Sequence, residues 1–158
     1  MEKRAKKIGI LGGGQLGRMI LENVSKWDLD IHFLDKKGSP IDNISSSISY
    51  GDFRDYQDVL DFGKDKDVIS VEIESVNLEA LKDLQKMGKT IHPSPSALKI
   101  INDKGLQKLF YEGNKFPSPD FQLIESRKEI IEKLNSGDIE YPFVQKIRKG
   151  GYDGRGVA

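Results

Sequence analysis

Short apolar runs alternate with helical patterns along this chain, and this alternation constrains its fold more than any other feature. The run of residues 8–11 predicts a strand, which a glycine-rich turn connects to a helix predicted over residues 15–26. Further elements follow in the same order, namely strands predicted over 31–34, 48–50, 68–72 and 90–92 and helices predicted over 56–62 and 78–87. Alternating strands and helices are typical of βαβ units around a parallel sheet. The sequence therefore predicts an α/β fold that begins with a Rossmann-like parallel sheet.

The pattern restarts in the last third of the chain, beyond two proline-containing breaks. A helical stretch over residues 96–111, with a break near Gly105, lies between them. After the second break, at residues 116–119, we expect a strand over 121–124, a helix over 126–134 and a strand over 143–147. We therefore divide the chain into a Rossmann-like domain, residues 1–103, and the start of an α+β domain, residues 104–158.

The charge balance excludes several classes of partner. Lys and Arg together number 25, as do Asp and Glu, so no basic excess suits nucleic acid or an anionic membrane. No run approaches the roughly 18–20 apolar residues that a membrane span requires. The chain contains no cysteine, which excludes disulfides and thiolate sites and fits a reducing compartment. We expect a cytoplasmic protein without nucleic-acid or membrane partners.

A first glycine loop follows the first predicted strand. Gly12, Gly14 and Gly17 have the spacing of a dinucleotide-binding turn, in which backbone N–H groups at a helix amino end approach an anion. Under that interpretation Asp35, at the end of the next strand, would bind a ribose hydroxyl. Two other interpretations fit the same residues: a tight turn that binds nothing, and a site for the phosphate or ring of another small substrate. The loop alone does not choose among the three.

A second glycine loop, KGGYDGRG over residues 149–156, follows the predicted strand that carries Lys146. Such a loop can fold over a polyphosphate and donate several backbone N–H groups. Lys146 could neutralise phosphate charge, and Arg155 offers a planar fork to an anionic oxygen. A mobile hairpin or tail is the alternative interpretation. Because a Rossmann dehydrogenase needs only the first loop, the second loop disfavours that class.

Charged residues outside the loops give further candidates. Glu72 and Glu74 lie at the end of a predicted buried strand and, at the two-residue period of a strand, would share one face. A carboxylate at the carboxyl end of a strand can accept a hydrogen bond from a substrate amine or hydroxyl. Lys104 and Lys108 lie four residues apart on a predicted helix, where most lysines merely face solvent.

Five segments, spread over nearly the whole chain, together resemble one enzyme family. They are GILGGGQLGRM (9–19), VEIES (71–75), IINDKGLQKLF (100–110), FPSPDF (116–121) and GGYDGRG (150–156). The family is that of the 5-(carboxyamino)imidazole ribonucleotide synthases of the ATP-grasp superfamily. GQLGRM combined with GGYDGRG is highly specific, whereas either alone is only suggestive. The resemblance implies a pre-ATP-grasp sheet domain followed by the first part of an ATP-grasp domain.

The resemblance also implies a role for each matching residue. Gln15, Leu16 and Glu72 lie where the family binds its ribonucleotide substrate. Lys104 and Lys146 lie where it contacts ATP, the first at a position that is usually arginine. The loop over the ATP phosphates is implied for Gly151, Tyr152, Asp153, Gly154, Arg155, Gly156 and Val157. Among these we take Arg155 as the candidate catalytic residue.

The implied reaction uses ATP, bicarbonate and aminoimidazole ribonucleotide. ATP phosphorylates bicarbonate to carboxyphosphate, and the exocyclic amine of the ribonucleotide becomes carboxylated. This chemistry requires charge neutralisation at the γ-phosphate and exclusion of water. The acidic ligands of Mg²⁺ are expected beyond residue 158, so no residue is assigned to metal and the chain alone is expected to be inactive. Complete relatives are commonly dimers, which predicts a homodimer for a complete protein.

Two other functions stay open from the sequence. One is an NAD(P)-binding oxidoreductase domain that uses the first glycine loop and Asp35. The other is a non-catalytic nucleotide-binding module. Binding of MgATP would support the ligase, binding of NAD(H) the oxidoreductase, and binding of neither the non-catalytic module. The ligase hypothesis further predicts that the two glycine loops open onto one pocket.

Overall fold

The computed structural model describes residues 5–24, 26–151 and 154–158. The chain forms two compact units, of which the first ends at Lys99 and the second begins at Ile100. The predicted division at residue 103, with an ATP-grasp domain beginning after it, stays a prediction. No helix within the described ranges is long and apolar enough to cross a membrane.

The first unit is built on a five-stranded sheet in which every pairing is parallel. Its strands are β1 (Lys7–Leu11), β2 (Asp30–Asp35), β3 (Ile48–Tyr50), β4 (Val68–Val71) and β5 (Thr90–His92), in the spatial order β3-β2-β1-β4-β5. The helices are α1 (Gln15–Val24), α2 (Tyr56–Gly63) and α3 (Leu78–Lys86), and α4 (Pro95–Ile101) follows the last strand. The α/β class and the parallel sheet predicted from the sequence are confirmed.

Two clusters of apolar side chains stabilise this sheet. One includes Leu11 and Ile69, both fully buried. The other joins Ile10 and Phe33 to Ile41, which belongs to the loop after β2. Because successive residues of a strand point to opposite faces, Ile10 and Leu11 fall in different clusters. Full burial of one such side chain contributes about 1.5–3 kcal/mol.

Side-chain caps determine where α2 and α3 begin. Asp55 accepts the N–H groups of Gln57 at 2.8 Å and of Asp58 at 2.9 Å. Asn77 accepts the N–H of Ala80 at 3.0 Å. These acceptors satisfy N–H groups that have no partner within the first turn. Asparagine and aspartate are among the residue types that favour this capping position.

The carboxyl ends of β1, β2 and β4 lie side by side at one edge of the sheet. In the register of these parallel strands, Leu11 lies opposite Leu34 on one side and Val71 on the other. The residues that follow these strand ends are therefore brought together: the first glycine loop after β1, Lys36 after β2 and Glu72 after β4. Open α/β sheets bind their ligands at this edge.

The second unit contains α5 (Lys104–Gly113) and α6 (Arg127–Ser136). The strands predicted over residues 121–124 and 143–147 are wrong, since neither segment forms a strand and only Lys146 makes an antiparallel bridge, to Val157. A strand needs a neighbour that exchanges backbone hydrogen bonds with it. Residues 145–147 find such a neighbour in residues 156–158. The apolar composition of residues 143–147 predicted a full strand and did not show that only a short part of the segment is paired.

The helical stretch predicted over residues 96–111 is interrupted, as expected, and forms two helices, α4 and α5. The break falls at Asn102 and Asp103, two residues before Gly105, which itself belongs to α5. Asp103 is the cap of α5, because its carboxylate accepts the N–H groups of Gly105 at 2.9 Å and Leu106 at 3.2 Å. Gly105 lies inside the first turn, where a Cβ atom would be 2.8 Å from Arg148 Nε. The capping acid sets the boundary, and the glycine allows close packing.

Candidate functional sites

The first glycine loop, residues 12–17, closes around the carboxylate of Glu72. A Cβ atom at Gly12 would lie 2.8 Å from Glu72 Oε2, and one at Gly14 would lie 2.7 Å from Oε1. Gly12 also has a positive φ of 102°, and its N–H donates to the Leu34 carbonyl at 3.0 Å. A side chain at either glycine would displace the carboxylate. These glycines therefore make room for an acid as well as for a tight turn.

Glu72 lies at the amino end of α1, one residue after β4. Its Oε1 accepts the N–H of Leu16 at 3.2 Å. The helix dipole stabilises a negative charge at this position. Glu74 is exposed, and the predicted alternation that would place both acids on one face does not reach them, because β4 ends at Val71. Of these two glutamates, Glu72 is thus the one held against the loop.

The three residues predicted to bind the ribonucleotide come together in the first unit. Gln15 and Leu16 are exposed in the first turn of α1, and Leu16 is 57% exposed. Glu72 is joined to this turn by its hydrogen bond with Leu16. The cluster offers an amide side chain and a carboxylate at the carboxyl edge of the sheet. Both groups can bind hydroxyl or amine groups of a small molecule.

Asp35 is occupied by the protein's own backbone. Its carboxylate is 7% exposed and accepts the N–H of Gly13 through Oδ2 and that of Lys36 through Oδ1, each at 2.7 Å. Ile41 covers the same glycine, since a Cβ atom at Gly13 would lie 2.5 Å from Ile41 Cδ1. Both oxygens of Asp35 are engaged, and the charge of Glu72 lies at the helix end where a pyrophosphate would bind. The geometry therefore does not support the dinucleotide interpretation.

The second glycine loop lies between two short paired segments, residues 145–147 and 156–158, and the described residues 145–151 and 154–158 are here called the glycine hairpin. Its two sides are joined by the Ile147 N–H, which donates to the Gly156 carbonyl at 2.9 Å. Gln145 and Ala158 exchange two further backbone hydrogen bonds, at 2.7 and 2.9 Å. φ is positive at three of its glycines, Gly150, Gly154 and Gly156. Glycine adopts this conformation far more readily than other residues, which permits the tight reversal of the chain.

The predicted phosphate loop is described in part. Tyr152 and Asp153 lie outside the described residues, whereas the remaining members lie in the glycine hairpin: Gly151, Gly154, Arg155, Gly156 and Val157. A Cβ atom at Gly151 would be 2.7 Å from the Arg155 carbonyl oxygen, and one at Gly156 would collide with the Ile147 side chain. The absence of side chains at these two positions is therefore required by the hairpin itself.

The two lysines predicted to contact ATP both lie in the second unit. Lys146 is exposed on the glycine hairpin. Lys104 is half-buried as the first residue of α5, and its N–H donates to the Arg148 carbonyl at 2.9 Å. The start of α5 and the segment that enters the hairpin are therefore in direct contact.

Lys108 has a structural role rather than a solvated one. Its ammonium donates to Ser118 Oγ at 2.6 Å and to the Pro119 carbonyl at 2.8 Å, and it lies 5.6 Å from the centre of the Phe121 ring. These contacts attach the proline-containing segment to α5. The expectation that this lysine merely faces solvent is wrong, because its partners lie in a part of the chain that helical spacing does not reveal.

An ion pair that sequence reasoning missed joins α5 to the glycine hairpin. Arg148 donates through Nε to Asp103 Oδ1 at 3.0 Å and through Nη2 to Oδ2 at 2.8 Å. The Asp103 carboxylate is buried, and the hydrogen bonds from Arg148 hold its pKa below the ordinary value of an aspartate. The capping position of Asp103 is visible in the sequence. Its partner lies 45 residues away, and no local pattern connects the two.

Across residues 5–24, 26–151 and 154–158, no group of three or more histidine, cysteine, aspartate or glutamate side chains could hold a metal ion. The Mg²⁺ ligands expected beyond residue 158 stay a prediction. The described part of the two candidate sites is thus built from glycine backbone, the Glu72 carboxylate and exposed or half-buried cations.

Residues 5–102 match the family model of the ribonucleotide synthetase preATP-grasp domain. The chain belongs to this family. The phosphoribosylaminoimidazole carboxylase of Candida glabrata is 38% identical to this chain over 156 residues, which cover 96% of this chain and 27% of the fungal protein. The chain thus spans about a quarter of the length of that relative.

Two solved structures from Aspergillus clavatus share the preATP-grasp fold. A carboxyaminoimidazole ribonucleotide synthase complexed with ATP is 32% identical with a TM-score of 0.87, covering 98% of this chain and 41% of that one. An N5-carboxyaminoimidazole synthase in complex with ADP and 5-aminoimidazole ribonucleotide is 29% identical with a TM-score of 0.83, covering 98% and 40%. These matches confirm the family resemblance drawn from the five sequence segments.

Proposed function

We propose that this chain supplies the amino-terminal part of a 5-(carboxyamino)imidazole ribonucleotide synthase, an ATP-dependent carbon–nitrogen ligase that carboxylates 5-aminoimidazole ribonucleotide with bicarbonate. The observation that carries the proposal is the Glu72 carboxylate held over the first glycine loop of a preATP-grasp domain. A relative of the same fold was solved in complex with ADP and 5-aminoimidazole ribonucleotide, which supports this pair of ligands.

We assign ribonucleotide binding to the first unit, through Gln15, Leu16 and Glu72. The Leu16 N–H orients the Glu72 carboxylate, which then accepts a hydrogen bond from a hydroxyl or amine of the substrate. The exposed Gln15 amide can donate or accept beside it. A fixed negative charge here opposes a second anion, so the substrate presents hydrogen-bond donors to Glu72 rather than its phosphate.

We assign ATP binding to the second unit, through Lys104, Lys146 and residues 151–157 of the second glycine loop. Lys146 supplies a point charge for phosphate oxygens, and the glycine backbone supplies N–H donors. Arg155 is the candidate catalytic residue, whose guanidinium would stabilise charge on the transferred phosphoryl group. The requirement for Mg²⁺ and bicarbonate, a homodimeric state, a cytoplasmic location and a single pocket for both loops stay predictions.

Calorimetric titration of the 158-residue chain with 5-aminoimidazole ribonucleotide, MgATP and NAD⁺ tests the proposal. We expect the ribonucleotide to bind and NAD⁺ not to bind. Glu72→Gln keeps an acceptor for the Leu16 N–H but removes the charge. It should weaken ribonucleotide binding by about tenfold, or about 1.4 kcal/mol, because a hydrogen bond to a charged group is lost.

The matched control is Asp61→Asn, which also removes one carboxylate charge, from the exposed end of α2. Ribonucleotide affinity should be unchanged in this variant. Binding of NAD⁺ together with no binding of the ribonucleotide would contradict the proposed substrate and favour the oxidoreductase alternative.

A further inference from the structure

The Asp103–Arg148 pair touches both elements that carry the ATP-binding candidates of the second unit. Asp103 caps α5, whose first residue is Lys104. Arg148 directly follows Ile147, whose N–H pairs with the opposite side of the glycine hairpin. One ion pair therefore connects the start of the helix to the start of the hairpin.

The connection has a main-chain part and a side-chain part. The Lys104 N–H donates to the Arg148 carbonyl at 2.9 Å, and the Arg148 guanidinium makes two hydrogen bonds to the Asp103 carboxylate. A bidentate arginine–carboxylate pair fixes orientation as well as distance. Gly105 permits this packing, because a Cβ atom there would lie 2.8 Å from Arg148 Nε and 3.1 Å from Asp103 Oδ1.

The charges around the pair show which cations stay available to a ligand. Residues 146–149 read Lys-Ile-Arg-Lys, so three cations enter the hairpin together. Arg148 directs two nitrogens at Asp103, and its third, Nη1, lies 3.7 Å from Glu125 Oε1. Lys146 is exposed, and the side chain of Lys149 is 75% exposed although its Nζ lies 4.0 Å from Asp103 Oδ2. Arg148 and Lys149 thus lie against acids of their own unit, whereas Lys146 is exposed to solvent.

We propose that Asp103 and Arg148 are positioning residues of the nucleotide site, which hold the glycine hairpin against the amino end of α5. The pair keeps Lys104 and Lys146 at a fixed separation for the phosphate groups of one nucleoside triphosphate. The identity of the ligand rests on the proposed function. The inference that the pair holds the glycine hairpin against α5 does not rest on it.

Hydrogen exchange by NMR and MgATP titration of the 158-residue chain test this inference together. Asp103→Asn keeps a good helix cap but loses the charge that holds the guanidinium. We expect the amides of Ile147 and Ala158, which donate the hairpin hydrogen bonds, to exchange at least tenfold faster. MgATP affinity should fall by a similar factor, while the amides of α5 keep their protection.

Arg148→Lys should reproduce both effects, because lysine keeps the charge but lacks the planar fork. The double variant should show no faster exchange and no weaker MgATP binding than either single variant, since both changes disrupt the same ion pair. Glu125→Gln is the matched control. It removes an exposed carboxylate beside the same guanidinium and should alter neither exchange nor affinity.

Unchanged exchange at Ile147 and Ala158 in both single variants would overturn the inference. Faster exchange with unaltered MgATP affinity would also overturn it, since the pair would then be structural only. A wild-type chain that binds no MgATP would contradict the ATP assignment of the proposed function. The exchange measurement would still decide whether the pair holds the hairpin.

Discussion

At the scale of single residues, Asp35 and Glu72 show how two acids at one edge of a sheet acquire different roles. Asp35 uses both oxygens on backbone N–H groups, of Gly13 and of Lys36. Glu72 accepts one backbone N–H, that of Leu16, through Oε1. Since a carboxylate has about four acceptor positions, Glu72 keeps more of them than Asp35 does, as the proposed ribonucleotide site requires. Asp35 instead stabilises the first glycine loop through its two backbone hydrogen bonds.

The fit of Gly13 beneath Ile41 leads to a prediction about stability. A methyl group at residue 13 would lie 2.5 Å from two atoms of the Ile41 side chain, which is fully buried. Gly13→Ala should therefore destabilise the first unit by about 1–3 kcal/mol, the usual cost of overpacking. Urea unfolding followed by circular dichroism measures the change.

The cause of that loss can be checked with a second substitution. Ile41→Ala removes the atoms that the new methyl group would meet. The loss in the free energy of unfolding should then be smaller in the double variant than the sum of the losses in the two single variants, because the residues are in contact. Strict additivity would show that Gly13→Ala acts through something other than Ile41. Gly113→Ala, at a position with open space around it, should not measurably lower the free energy of unfolding.

At the scale of elements, the glycine hairpin separates the effect of backbone conformation from that of packing. Gly150 and Gly156 both have positive φ, of 78° and 74°. A Cβ atom at Gly150 would meet nothing within 4 Å, whereas one at Gly156 would collide with Ile147. Alanine at either position carries a conformational cost of about 1–2 kcal/mol. Only alanine at Gly156 should also open the hairpin.

The measurement for this element is amide exchange at Ile147 and Ala158 in the two alanine variants. We expect Gly156→Ala to accelerate exchange at least tenfold more than Gly150→Ala does. Equal acceleration would mean that positive φ, rather than contact with Ile147, decides the shape of the hairpin. Because the two variants share the same substitution and nearly the same φ, each is the control for the other.

The elements of the first unit could be predicted because their signals are local. Each strand of the parallel sheet is a short apolar run, and the capping residue Asn77 precedes its helix directly. The cap of α6, in the second unit, is equally local: Ser126 accepts the Glu129 N–H at 3.1 Å, and Glu129 accepts the Glu125 N–H at 2.8 Å. Such patterns lie within a few residues of the structure that they cause.

Features that depend on distant partners could not be predicted. Residues 121–124 and 143–147 have the composition of strands, but no local signal states whether a neighbouring strand exists. The Asp103–Arg148 pair and the engagement of Asp35 by Gly13 likewise appear only after the chain has folded. The first glycine loop was predicted correctly as the connection between a strand and a helix. Only the structure shows what each loop packs against, which is a carboxylate for the first loop and an isoleucine for the second.

At the scale of the whole molecule, apolar burial is distributed unevenly between the two units. All buried hydrophobic side chains of the described chain belong to the first unit, from Ile10 to Leu98. Large apolar side chains of the second unit are exposed instead, among them Phe116 at 54%, Tyr141 at 78% and Val144 at 67%. Since apolar burial is the main favourable term in folding, the second unit gains less stability from its own packing.

This distribution predicts that the second unit opens without the first. Local opening free energies range from near zero up to the global value, and regions with few buried apolar contacts lie at the low end. In native-state hydrogen exchange of the intact chain, the amides of α5 and α6 should exchange at least a hundredfold faster than those of β1 and β4. That ratio corresponds to about 2.7 kcal/mol. Equal protection in both units would show that the exposed apolar residues of the second unit do not limit its stability, and the inference from burial would fail.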